Sequence, residues 1–311
     1  MASHADMAPE HHRGILRNVF LGANGLRSGW AISLFLVLVF AYGAVLLLIV
    51  QGRRVHVGGS DPVRLIVSEW TCFAAVLAAT WTMSRIEQRP LAEYGLPVRA
   101  AFGGCFWQGA TWALVLETVT LLTLAALGVF RFGPISTPLP LAIWSGALWA
   151  LGCIGIALFE ESLFRGYLLF TLARGTGFWV AGLAISGLFG VVHLLNRGQT
   201  WVGAAGIAFA TLFLCLTVRR TGNLWFAFGL HAGLDWTQIF LFGVPQAQSP
   251  SDTILRSSMQ GPIWLTGTDG NGGSVVFVVL ILSTMMLFAR LFPQARYPFH
   301  VTRSEERSDS G

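Results

Sequence analysis

Eight apolar stretches divide the chain, at about 31–50, 65–84, 101–128, 139–173, 178–195, 200–218, 224–242 and 274–292. Most approach or exceed the ~20 residues that a helix needs to cross a bilayer. Inside lipid a chain satisfies its own backbone only as a helix or a closed barrel. Runs this long without period-two alternation predict helices. The expected fold is therefore all-α: a polytopic membrane helical bundle of about eight transmembrane helices. The segment "EQRPLAEYGLP" (87–97) reads as an interfacial connector before the third span. The loop from Gly243 to Gly273 is rich in Gly, Ser and Pro, and its "WLTGTDGNGG" reads as turns rather than a domain.

Composition sharpens this picture. Of the 311 residues, 54% are hydrophobic and only 11% charged, against roughly 25% charged in soluble domains. All 20 basic residues are Arg, set mostly in short connections between apolar runs. The basic balance thus gives no reason to expect nucleic acid as a partner. With the N-terminus inside, the inner segments hold 13 arginines and the outer loops 6. The positive-inside rule then puts both termini in the cytoplasm. No small-residue cleavage site ends the first span, so it reads as a retained helix, not a signal peptide. His4, His11 and His12 read as part of a disordered tail rather than a metal site. Cys72, Cys105, Cys153 and Cys215 all fall in apolar runs without metal or disulfide spacing.

Against this background a few polar residues stand out. An ionisable group at the centre of a membrane helix costs about 2.5–3.5 kcal/mol on insertion scales, which makes it a functional hypothesis by default. Glu160, Glu161 and Arg165 lie in the fourth span, His193 in the fifth, and His231 and Asp235 in the seventh. Glu161 and Arg165 are four apart and share a helix face. Glu160 lies about 100° around the helix, on the side of Cys153, Ala157 and Phe164. The carboxylate with no local arginine is the one suited to exchange a proton as a general base. A structural ion pair is the plainer reading for Glu161 and Arg165.

Gly182, Ser186 and Gly190 make a small-residue face on the fifth span, a close-packing surface between membrane helices, and His193 falls on nearly the same side. Ala227, His231, Asp235 and Gln238 make one polar stripe on the seventh. The turn at 174–177 makes a helical hairpin of the fourth and fifth spans. At 1.5 Å per residue, Glu160 and His193 both lie about 20 Å from it. His231 and Asp235 come out lower by the same count unless their helix begins later or tilts.

Three motifs on three helices now have a recognisable order: Glu160-Glu161-x3-Arg165, Phe189-x3-His193 and His231-x3-Asp235. Together they resemble the CPBP intramembrane proteases, a family that includes the Ras-converting CAAX endopeptidases and the Abi proteins. The resemblance is strongest over about 140–243, with a further likeness in the "LTG…G…G" loop and the final helix. It implies glutamate-dependent peptide hydrolysis in the membrane, with Glu160 and His193 activating a water. It also implies that His231 and the residue at 235 stabilise the oxyanion, supported by Glu161 and Arg165. Position 235 is Asn in the CAAX endopeptidases, whereas Asp also occurs among bacterial relatives. An ionised Asp cannot donate a hydrogen bond, so Asp235 either is protonated or orients His231.

The domain organisation that follows is a cytoplasmic tail (1–30), a transmembrane domain (31–292) with its catalytic core at about 139–243, and a cytoplasmic C-terminal tail (293–311). The expected partners are a peptide or membrane-protein substrate and the lipid bilayer, in the plasma (inner) membrane of a bacterium. The sequence sets no oligomeric state. No cofactor is expected, with zinc on Glu160, His193 and His231 as the alternative. The rival functions are a non-proteolytic scaffold or bacteriocin-immunity-type binding protein, and a transporter, which would also use Glu69 and Glu117.

Overall fold

The computed structural model describes residues 20–22, 25–52, 62–196, 199–245, 252–267 and 270–297. The expectations for His4, His11 and His12, for the first 19 residues and for those after 297 lie outside the described residues. The α-helices of eight or more residues, among the described ones, are α1 (Ser28–Gly52), α2 (Pro62–Glu87), α3 (Gly104–Ala126), α4 (Leu139–Glu161), α5 (Leu169–Thr176), α6 (Phe178–His193), α7 (Trp201–Thr221), α8 (Trp225–Trp236) and α9 (Val275–Leu291). Sheet is limited, among the described residues, to two-residue pairings. The chain is an all-α polytopic bundle and an integral membrane protein. Among the described residues five helical stretches are long and apolar enough to cross a bilayer, namely Ser28–Val50 of α1, α2, α3, the run Leu139–Thr176 and α7, and α6 and α9 are shorter apolar helices. Large apolar side chains such as Phe40 and Leu48 on α1 face outward, as a lipid-facing surface requires.

The run from 139 to 176 is continuous but not one regular helix. Ser162–Leu168 forms a π-helical turn between α4 and α5, and Gly166 departs from helical geometry within it (φ −81°, ψ −110°). The sequence reading drew a single span here. Its residues are apolar on nearly all sides, so no stripe marks where the helical phase changes. Single π-turns inside α-helices are rare and cluster at functional sites. A second π-turn, Thr237–Leu241, extends α8.

Small residues bring α3 and α8 together. A Cβ on Gly109 would collide with the Phe226 carbonyl, and one on Gly229 with the Phe106 carbonyl, while Gly233 packs on Ala110 and Ala113. Gly229 and Gly233 are four apart, the small-xxx-small spacing of close membrane crossings. On the other side of the bundle, Gly190 of α6 sits against the Ala204 carbonyl of α7, so the small-residue face of α6 is a packing surface.

One end of the bundle gathers several arginines. The Glu87 carboxylate, at the end of α2, accepts hydrogen bonds from Tyr94 (2.8 Å), Tyr167 (2.6 Å) and both terminal nitrogens of Arg174 (2.9 and 3.1 Å). Burial and the neighbouring Glu87 carboxylate push the Tyr94 phenol well above its ordinary range. Arg219 and Arg220, at the end of α7, donate to the carbonyls of Tyr297 and Pro293. The connector at 87–97 contains a short 3-10 turn, Leu91–Tyr94, and its Gly95 carbonyl accepts from the Leu224 amide (2.9 Å).

That last bond corrects the depth count. Leu224 is fully buried, and its side chain lies beside Gly95 and Gly166. The turn between α7 and α8 therefore reaches in to the level of the π-turn rather than ending with the 174–177 hairpin. His231 is seven residues along from Leu224, and Glu160 is six residues back from Gly166. At 1.5 Å per residue those are rises of about 9–11 Å, so the two meet at one height.

Candidate active site

Glu160 and Glu161 are the last two residues of α4, and the structure gives them different neighbours. Glu161 is fully buried and so is Arg165, whose Nη1 lies 3.2 Å from Glu161 Oε1. The guanidinium also lies over the face of Phe189, 4.3 Å from its centroid, where a cation meets the negative face of the ring. Phe189 in turn packs edge-on to Phe164 (4.9 Å) and against the His193 ring (4.5 Å). The ion pair and the aromatic contacts thus tie the π-turn to α6, beside the last residue of which, His193, the cavity opens.

Each imidazole has one nitrogen committed. His193 Nδ1 is 2.8 Å from the Phe189 carbonyl. A carbonyl only accepts, so Nδ1 carries the proton and Nε2 of the neutral ring is an acceptor. His231 Nδ1 is 2.8 Å from Glu161 Oε1, so its Nδ1–H donates to that carboxylate and the ring is oriented by it. Its Nε2 then faces Asp235 Oδ2 at 3.5 Å and Glu160 Oε2 at 3.7 Å. A carboxylate behind one ring nitrogen sets both the tautomer and the orientation of the other. Glu161 thus contacts both Arg165 and His231, and the second contact spans 70 positions in sequence.

Glu160, His193, His231 and Asp235 line one cavity of about 380 Å³. The side chains of Glu160, His231 and Asp235 are 23%, 15% and 28% exposed, against 0% for Glu161 and Arg165. The structure therefore separates the polar residues into an inner pair and a set that faces the cavity. Ile156, one turn before Glu160, shares its wall. Cys153 and Ala157, which the helical count grouped with Glu160, are instead packed into the core. Among the described residues no three His, Cys, Asp or Glu side chains are grouped so as to hold a metal ion.

Several cavity residues were not singled out by the sequence motifs. Asn196 and Gln199 follow α6, and Gly272 and Gly273 come from the loop before α9. Asn271 Nδ2 of that loop donates to Glu117 Oε1 of α3 (2.8 Å), and Gln238 Nε2 donates to Asn271 Oδ1. Glu117 was visible as a carboxylate in an apolar run, but nothing nearby in sequence linked it to the motif helices. Asn271 gave no signal within a Gly-rich turn. Glu69, the other carboxylate left over, is half-buried, accepts from Ser68 (3.1 Å) and packs its Cβ beside Gly155 of α4.

Residues 142–237 match the family model of the type II CAAX prenyl endopeptidase Rce1-like proteins. No curated protein and no solved structure matches the chain. The matched interval begins in α4 and ends just past Asp235, so it spans all three motif helices. The family it names is one of proteases. Over residues 142–237, under a third of its length, the chain is therefore similar to the type II CAAX prenyl endopeptidases.

Proposed function

We propose that the chain is an intramembrane endopeptidase in which Glu160 activates a water to hydrolyse a peptide bond of a membrane-associated peptide or protein tail. The observation that carries this reading is the shared cavity, with Glu160, His193, His231 and Asp235 on its wall and His231 held from behind by Glu161. In this reading a water lies between Glu160 and His193. Glu160 takes one of its protons, and His193 Nε2 accepts a hydrogen bond from the other. The hydroxide adds to the scissile carbonyl carbon, and the resulting oxyanion is met by His231 Nε2–H of the imidazolium ring. Glu161 balances that positive charge. The tetrahedral intermediate collapses with cleavage of the C–N bond, and Glu160 delivers its proton to the leaving amine. General acid–base catalysis of this kind contributes about 10²–10⁴-fold, and a preorganised oxyanion donor a comparable factor. Asp235, 3.5 Å from Nε2, orients the ring and acts as no donor itself.

The reading places the protein in the plasma membrane of a bacterium, with both termini cytoplasmic. It involves no metal. Once an activity is in hand, purified protein should keep its full rate after exhaustive chelation. Loss restored specifically by zinc would move the mechanism to a metal-bound water. The function itself is tested in cells of the source organism producing wild-type protein or Glu160→Ala at equal levels. Mass spectrometry of protein termini should find at least one new N- or C-terminus that depends on Glu160. Matching terminus profiles, with a phenotype that the variant still supports, would favour a binding protein instead.

A further inference from the structure

Glu117 has no part in the hydrolytic steps, yet it is a carboxylate in an apolar helix, where lipid penalises one. It is fully buried on α3, and its carboxylate is already engaged. Oε1 accepts from Asn271 Nδ2 at 2.8 Å, and Gln238 also hydrogen-bonds the group. Gln238 Nε2 donates in turn to Asn271 Oδ1. The three side chains thus close a ring of hydrogen bonds. It joins α3, the π-turn Thr237–Leu241 and a short 3-10 turn, Asn271–Gly273. An ionised carboxylate only accepts, whereas a side-chain amide carries two donor hydrogens of its own. Where two amides converge, a carboxylate meets both without stranding a donor.

The turn held by this ring is fitted between helices. A Cβ on Gly206 of α7 would collide with the Gly272 carbonyl, and one on Gly273 would press on Gly203 of the same helix. Gly270, just before the turn, has φ 73° and backs onto Gln238 Oε1. The other side is open: among the described residues, a Cβ on Gly272 would meet nothing within 4 Å. Gly272 and Gly273 both line the cavity that holds Glu160, His193, His231 and Asp235. A bare backbone turn is therefore part of the active-site wall, and Glu117 anchors it.

We propose that Glu117 is a positioning residue for substrate binding, fixing the Asn271–Gly273 turn as a wall on which the substrate peptide lies. This deepens the protease reading and rests on it for the word substrate. Glycine at 272 lets a peptide approach the turn closely. The turn supplies none of the groups that activate water or meet the oxyanion. Loosening it removes binding shared by substrate and transition state, which raises KM and leaves kcat unchanged.

The experiment uses the full chain in lipid nanodiscs and has two arms. Cleavage kinetics are measured on the peptide that the wild-type chain cuts fastest from a synthetic library of balanced sequence. Hydrogen exchange over residues 270–273 is read on the same preparations. Asn271→Asp sets two carboxylates against each other. It should speed exchange and raise KM about tenfold, the scale of a lost hydrogen bond to a charged group, at unchanged kcat. Glu117→Gln strands one donor and should raise KM less. Combining Glu117→Gln with Asn271→Asp exchanges acid and amide: position 117 then donates to 271 and still accepts from Gln238. That double variant should bring KM back to within about threefold of wild type, a coupling that independent sites do not show. If Asn271→Asp yields no folded protein, Glu117→Gln against the double variant makes the same comparison. A lower thermal midpoint with KM unchanged would reduce the ring to a structural tie and overturn the proposal. So would a fall in kcat at constant KM, a double variant no better than the single ones, or unchanged exchange in all of them. If the wild-type chain cuts no peptide of the library, the protease reading fails instead, and the exchange arm alone decides whether Glu117 holds the turn.

Discussion

Glu160→Gln should lose hydrolysis by about 10²–10⁴-fold, the range that a general base contributes, while unfolding within a degree or two of wild type. The reason is how Glu160 is held. Its side chain is 23% exposed in the cavity, and the nearest ionic partner is His231 at 3.7 Å, beyond hydrogen-bond reach. Glutamine keeps the shape and the acceptor oxygen, so packing against Ile156 and the rest of the wall persists. It cannot take a proton from water at working pH. The measurement pairs a cleavage rate on any confirmed substrate with a thermal midpoint of the same preparation. A variant that keeps more than a tenth of the wild-type rate would remove Glu160 from the role of base. One that unfolds as readily as a variant of the inner pair would make both glutamates structural.

The contrast between the two carboxylates was legible in sequence only in part. Ionisable residues stand out in apolar runs because lipid penalises them, so the motif helices and the four-residue step from Glu161 to Arg165 could be read directly. The fold class was legible for the same reason. The contact of Glu161 with His231 could not be read, since it joins α4 to α8 and no local period encodes such a pairing. The π-turn at Ser162–Leu168 was hidden because helices apolar all round carry no phase from which a shift could be seen. The depth of His231 was open in sequence, because a residue count places it only if the loop before it lies at the bundle end. Leu224, apolar and adjacent to Gly222 and Asn223, is instead packed into the bundle beside Gly166. The loop between 243 and 273 shows the same limitation. Its Ser258–Met259 pairs with Phe130–Arg131 and its Asn271 reaches Glu117, contacts across more than a hundred positions.

Arg165→Ala should fail differently from Glu160→Gln, with a loss of about 3–5 kcal/mol in stability, as expected when one partner of a buried ion pair is removed. Arg165 is fully buried, 3.2 Å from Glu161 and stacked on Phe189. Its removal strands a buried carboxylate and also leaves a void beside the π-turn, where several neighbours lose contacts. Activity should fall as well, because Glu161 is the group that holds His231 Nδ1. The two causes separate in a short series measured by folded yield and thermal midpoint. Arg165→Met fills most of the volume but still strands Glu161, so it should recover only part of the loss. Adding Glu161→Gln to Arg165→Met removes the uncompensated charge, since well-packed neutral replacements of a buried pair are often close to neutral in stability. The double variant should therefore be more stable than Arg165→Met alone, yet remain impaired in turnover, because a glutamine behind His231 no longer balances the imidazolium. If the double variant is instead less stable than either single one, Glu161 owes its place to His231 more than to Arg165. The inner pair would then be one arm of a three-residue network spanning α4, the π-turn and α8.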